Sequence, residues 1–378
     1  LALLYNSMGK FAEVEPLLRQ AMEIDRKALG EDQPDFATHL TNLAFLYFSM
    51  GNYIEVELLC RQAMEIWRKA SGEDSPSFAT SLNNLALFYD RMGNYAKAEP
   101  LCRQAMEIRR KYLGEYHPDF ALSLNNLAEL YRTVGNYAKA EPLHLQAIEI
   151  KRKTSGEDSP SFATSLNNLA LLYFSMGNYA DAEPLLCQTM EIRLKALGKD
   201  HPDVALSLNN LGALYDRMGN YADAEPLLRQ AIEIRRKTLG EDHPDFAQSL
   251  HNLGVLHKSM GNYTEAELLF RQTIEIIRKI LGEDHPDFAQ SLNNLAELYV
   301  ATRREKEALT LMIKSASIDD RMIGQVFSIG SESQRMAYLK KVSVNFELFV
   351  SLVSQYLSAS PAAIHSAFEL VMRRKAIG

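Results

Sequence analysis

The sequence predicts an all-α solenoid, a stack of 42-residue helix–turn–helix units. Three observations carry that expectation. Gly9, Gly51, Gly93, Gly135, Gly177, Gly219 and Gly261 fall 42 residues apart. Pro34, Pro76, Pro118, Pro160, Pro202, Pro244 and Pro286 keep the same period. Between these markers, apolar residues recur at helical spacing, and self-similarity at such a period marks a repeat architecture.

The unit around Gly93 illustrates the reading. Ser75 suits an N-cap and Pro76 the first helical position, where no amide hydrogen is needed. Phe78, Leu82, Leu85, Ala86 and Tyr89 then line one helical face. Gly93 allows the positive φ that ends this helix tightly. Asn94 can cap a second helix whose apolar face is Tyr95, Ala98, Leu101, Cys102, Ala105, Met106 and Ile108, and Gly114 ends it. Ala86 and Ala98 are small enough for the two helices to approach closely. Pro100 falls inside the second helix and predicts a kink or a late helix start. No such pair buries its apolar face alone, so neighbours must stack into one core. Residues 1–318 make eight units, the first truncated and the last degenerate, because Arg303 stands where the next glycine belongs.

Residues 319–378 read as a helical cap and connector. Ile318, Met322, Ile323, Val326 and Phe327 extend the last repeat helix. Ser331 or Ser333 can cap a helix carrying Met336, Leu339, Val342, Phe346, Phe349, Val350, Val353 and Leu357. Ser360 and Pro361 start another, with Ile364, Phe368 and Val371 expected inside. The stretch Val342 to Leu357 contains Asn345, Glu347 and Gln355 and is too short and polar to span a bilayer.

With 47% hydrophobic residues, the 378-residue chain can bury a large core. A net charge of -7 argues against general nucleic-acid or anionic-membrane binding. Its three cysteines, Cys60, Cys102 and Cys187, suggest reduced thiols and a cytoplasmic setting. Cys60 and Cys102 sit one repeat apart, too far for a disulfide at a stacking distance of roughly 10 Å. The chain begins mid-repeat at Leu1 without a Met, as a fragment would.

Leu208 to Tyr215, Gly219 to Glu225, Ala231 to Ile234 and Leu239 to Asp245 together resemble the 42-residue tetratricopeptide repeats of kinesin light chains and their bacterial relatives. The resemblance covers about 300 residues and implies a right-handed superhelix whose first helices line a concave face. Asp319 to Glu332 and the ending Arg373 to Ala376 resemble the helical connector of bacterial CHAT proteins, in which repeats lead into a caspase-like cysteine protease domain. That resemblance implies a protease domain in a parent protein, beyond Gly378.

Candidate sites follow from the repeat register. Asn42, Asn84, Asn126, Asn168, Asn210, Asn252 and Asn294 share one position of the first helix. Asn83, Asn125, Asn167, Asn209 and Asn293 precede all but two of them, with Thr41 and His251 breaking that row. An amide donates and accepts at once, which suits the backbone of an extended peptide. By the same resemblance these amides could grip such a peptide; alternatively, one row only fixes packing between helices. Residues 71–86 repeat identically at 155–170, so identity between units can reflect copying. Beside the amides, Phe45, Phe48, Leu87, Leu171 and Phe174 offer apolar anchors, with Glu129 and Arg132 between them.

Other features read as structural. His117, His201, His243 and His285 precede the helix-starting prolines; their spacing excludes a shared zinc and leaves them as loop or capping residues. Trp67 replaces the arginine found at Arg109 and Arg193, as a packed edge or a contact point. No phosphate loop, His-Glu-x-x-His or CxxC is present, so neither a catalytic residue, a metal nor a cofactor is expected. The expected function is a protein-binding scaffold that takes an extended peptide or a protein surface. The alternatives are a sensing arm of a larger caspase-like protease or of a signalling NTPase.

Overall fold

A computed structural model describes residues 11–377 apart from 51, 330, 331 and 359. The expected markers Gly9, Gly51 and Ser331 lie outside those residues. The described chain is all helix and turn: α1 (Phe11–Ala28), α2 (Pro34–Ser49), α3 (Tyr53–Ser71), α4 (Pro76–Arg91), α5 (Tyr95–Leu113), α6 (Pro118–Thr133), α7 (Tyr137–Ser155), α8 (Pro160–Ser175) and α9 (Tyr179–Leu197). They are followed by α10 (Pro202–Met218), α11 (Tyr221–Leu239), α12 (Pro244–Ser259), α13 (Tyr263–Leu281), α14 (Pro286–Ala301), α15 (Glu305–Ile329), α16 (Glu332–Tyr356) and α17 (Pro361–Ile377). This is the all-α solenoid class the periodicity predicts. Contacts divide the chain into two units, residues 1–48 with 55–240 and residues 49–54 with 241–378.

Helix ends follow the expected residues. Ser75 Oγ accepts from Phe78 N at 3.1 Å, and Ser159 Oγ from Phe162 N at 3.2 Å. Where histidine replaces serine, Nδ1 of His117, His201, His243 and His285 accepts from the second residue on, each at 3.1 Å. These imidazoles are therefore N-caps. Gly93 closes α4 at φ 76, and Arg303 holds the same left-handed turn at φ 58. A side chain in that region costs roughly 1–2 kcal/mol, which marks the degenerate repeat. The late start predicted from Pro100 is not seen: α5 begins at Tyr95. Pro100 sits inside α5 and forgoes the bond that its amide would have made to the carbonyl four residues back, without delaying the helix start.

Within a repeat, Phe78, Ala79 and Leu82 of α4 pack on Ala105 and Ile108 of α5. Ala86 and Ala98 are almost wholly buried, as close approach requires. Between repeats, a tyrosine of most first helices reaches back to a glutamate of the preceding second helix, and in α12 His257 holds that position. Tyr131 Oη donates to Glu99 at 2.7 Å, Tyr173 to Glu141 at 2.8 Å and Tyr215 to Glu183 at 3.0 Å. In the second unit Tyr299 donates to Glu267 at 2.9 Å. Burial pushes Glu267 up, but hydrogen bonds from Arg304, Arg271 and Tyr299 outweigh it and hold the carboxyl at about 2. These contacts set the register of one repeat on the next.

The tail is helical. Ile318, Met322 and Ile323 of α15 are buried, as are Phe349, Leu352 and Val353 of α16. The side chains of Val326, Phe327, Met336 and Val342 lie outside the described ones. Helix α17 corrects one expectation. It buries Ala363 and Leu370, whereas Ile364 and Phe368 are 48% and 61% exposed. Ala363 and Leu370, seven apart, share one face, and Ile364 and Phe368 fall on the other. No helix among the described residues is long and apolar enough to cross a membrane.

Candidate functional site

The two asparagine rows occupy neighbouring positions on the same helices, and one residue is about 100° of helical rotation. That rotation separates them. Asn83, Asn125, Asn167 and Asn209 are all at most 7% exposed. Asn83 Nδ2 donates to Ser123 Oγ, and Asn125 Nδ2 to Ser165 Oγ, each at 3.3 Å. Each bond joins the first helices of adjacent repeats. Asn125 Oδ1 also meets His144 Nδ1 at 3.0 Å. Burial holds His144 down at about 4, with Glu129 opposing that shift. Asn83 and Asn125 therefore bond across the seam between repeats, in a row that lies buried.

Asn84, Asn126, Asn168 and Asn210 are only half-buried. Asn210 gives its Nδ2 to Asn167 Oδ1 at 2.8 Å. Asn42, Asn84, Asn126 and Asn168 make no side-chain hydrogen bond among the described residues. Their donors and acceptors stand at one position of α2, α4, α6 and α8.

The flanking residues differ in availability. Leu87 is 41% exposed and Leu171 half-buried. Phe45 and Phe48 are half-buried against the core, with rings 5.0 and 5.1 Å from that of Phe88. The ring of Phe174 lies tilted against that of Tyr179, with centroids 5.7 Å apart. Glu129 and Arg132 spend their charges on each other: the guanidinium forks onto both carboxylate oxygens and also donates to Ser175 Oγ of the next repeat at 2.9 Å. Burial pushes Glu129 up, yet this fork leaves its carboxyl below the usual range. The surface therefore presents amides with leucine neighbours, and a neutralised ion pair between them.

A second set of polar residues escaped the sequence reading. Ser123 and Ser165 receive the buried asparagines, and Ser123 also receives Arg109 at 3.1 Å. The signal was the serine recurring two residues before each buried asparagine. Trp67, at the arginine's position, is half-buried against the core of the first unit. The thiols of Cys60 and Cys102 are buried, which pushes each up to about 12 and leaves them unreactive.

Comparison with known proteins agrees with this architecture. The Tetratricopeptide repeat family matches residues 1–69, 35–89, 77–153, 161–237, 217–279 and 245–321. The crystal structure of BtubC (BKLC) from P. vanneervenii is similar at 26% identity and a TM-score of 0.50, over 62% of this chain and 92% of that one. A putative kinesin light chain from Podosopora anserina with nearly identical TPR-like repeats shares 32% identity, over 54% of this chain and 96% of that one, at a TM-score of 0.46. A Rap protein complexed with competence and sporulation factor shares the fold, at 17% identity and a TM-score of 0.57 over 85% of this chain and 87% of that one. No curated protein matches the chain. With most of its length matched repeat by repeat, the chain belongs to the tetratricopeptide repeat family.

Proposed function

We propose that the first unit binds an extended peptide or an extended protein segment along its first helices, gripped by Asn84, Asn126 and Asn168. Arrays of this family mediate protein–protein interaction. The observation that carries the reading is the row of half-buried amides without side-chain partners, in register across successive repeats. Leaving such groups unpaired under a partner would cost about 1–3 kcal/mol each. A partner that covers this row must therefore offer both donors and acceptors, as a peptide backbone does. Leu87 and Leu171, two repeats apart, add apolar anchors and give the ligand side-chain preference. The helices of residues 319–378 close the end of the stack in this reading.

The test uses a random peptide library selected on the full chain. Peptides with spaced apolar residues should be recovered, and replacing Asn84, Asn126 and Asn168 together by Ala should weaken their binding at least tenfold. Binding unchanged in that variant, at unchanged helicity, would sink the proposal.

A further inference from the structure

Arg109 of α5 is 4% exposed, and its guanidinium is a bridge. It donates to Thr80 Oγ1 at 2.8 Å, to Ser123 Oγ at 3.1 Å and to the Asp119 carbonyl at 3.2 Å. Two repeats on, Arg193 makes the same three bonds, to Thr164 Oγ1 at 3.3 Å, Ser207 Oγ at 3.0 Å and the Asp203 carbonyl at 3.3 Å. Each arginine thus rises from a second helix to join the first helices of its own and the next repeat.

This position runs Asp25, Trp67, Arg109, Lys151, Arg193, Arg235, Ile277. The residue ten further on runs Asp35, Ser77, Asp119, Ser161, Asp203, Asp245, Asp287. An aspartate follows every arginine, and a serine follows Trp67 and Lys151. In the first repeat Asp25 takes His39 Nε2 at 2.9 Å instead. At Ile277, as at Asp25, the aspartate ten further on is kept and the cation is missing, but Ile277 brings no polar group of its own.

In the second unit the space above Ile277 is an open cavity of about 310 Å³, lined by Gln248, Ile277, Asp287 and Ser291. These four are the counterparts of Thr80, Arg109, Asp119 and Ser123. Asp245 also lines it. The volume falls at the lower end of the ligand-sized range, about 300–1,000 Å³. Its lining brings two aspartates, Asp245 and Asp287, beside the amides of Gln290 and Asn294, which bond to Asn294 and His251. Gln248 gives one Nε2 hydrogen to Asn252 at 2.9 Å, which leaves its other hydrogen and Oε1. Ser291 spends its hydrogen on the Asp287 carbonyl at 2.7 Å, which leaves its lone pairs. A guanidinium has five donors in a planar fork and no acceptor, so it complements such a lining where a carboxylate would not.

We propose that this cavity receives an arginine side chain from a partner protein, which supplies in trans the guanidinium that Arg109 and Arg193 supply to their own repeats. The proposal deepens the binding reading above by naming a partner side chain. It stands on residues 241–378 alone and uses none of the first unit's asparagines.

The experiment titrates the full chain with a blocked Ala-Ala-Arg-Ala-Ala peptide by calorimetry or NMR. Matched peptides carry citrulline or lysine, and arginine methyl ester serves as the free alkylguanidinium. The arginine peptide should bind at least tenfold more tightly than the other three. Ile277→Arg should fill the cavity from within, weaken that binding at least tenfold and raise the melting temperature. Asp287→Ser, the residue used at Ser77 and Ser161, should weaken binding several-fold while the chain stays folded. NMR shifts in the arginine titration should fall on residues of α12 to α14, which reads this site apart from the asparagine row of the first unit. Equal binding of citrulline, or full binding by Ile277→Arg, would overturn the proposal. Binding of the free ester as tight as the peptide's would overturn the protein source and leave a small guanidino ligand.

Discussion

Asn125 and Asn126 are chemically identical and adjacent in the chain, yet the structure gives them different surroundings. Asn125 is buried between α6 and its neighbours, donating to Ser165 and meeting His144. Asn126, one residue on, is half-buried and makes no side-chain hydrogen bond among the described residues. A single step of about 100° around the helix turns one amide into the seam between repeats and the other away from it. A residue repeated in every unit can therefore recur for packing or for binding, and its recurrence does not say which.

That contrast can be broken by experiment, and the largest effect concerns pH. His144 stays neutral in the folded chain down to about 4, while its ordinary value is 6.5. Between those values the unfolded chain binds the extra proton, so stability falls as pH drops from about 6.5 to about 4. The loss attributable to this group is about 3 kcal/mol at most. His144→Leu, matching Leu186 and Leu228 in later repeats, should flatten that part of the profile in thermal melts across the window. An unchanged profile would contradict the buried pairing.

Next in size is Asn125→Ala. It removes the partner of two buried groups and should cost about 1–3 kcal/mol, read by denaturant unfolding of the α6–α8 region. Because repeats contact mainly their neighbours, the loss should be local, and hydrogen exchange should locate it there. Arg132→Ala should come lower, at about 1 kcal/mol or less, since its fork with Glu129 is partly solvent-exposed. Asn126→Ala should be smallest, within about 0.5 kcal/mol.

Much of the fold was legible because caps, turns and period are local chemistry. Ser75, Pro76 and Gly93 announce helix ends within a few residues, and each stands where that chemistry requires. The site was less legible, because packing and binding draw on the same residue types. Asparagine side chains satisfy a serine across a seam as readily as a peptide. Phe45 and Phe48 read as groove anchors, yet both rings sit on Phe88, a residue one repeat away that helical spacing alone does not pair with them. Arg109 reaches three segments at once, and the reach of a long side chain leaves no periodic trace. Ile364 and Phe368 carry apolar character on a helix with a different buried face, which hydropathy alone cannot distinguish. The family comparison is equally silent on these points, since it identifies repeats and not the use of their surfaces.

The most direct test of this division of labour is a paired measurement of Asn125→Ala and Asn126→Ala in the full chain, unfolded side by side in denaturant at neutral pH. The account expects a clear loss of stability for Asn125→Ala and almost none for Asn126→Ala. Equal losses, or a larger loss for Asn126→Ala, would contradict it.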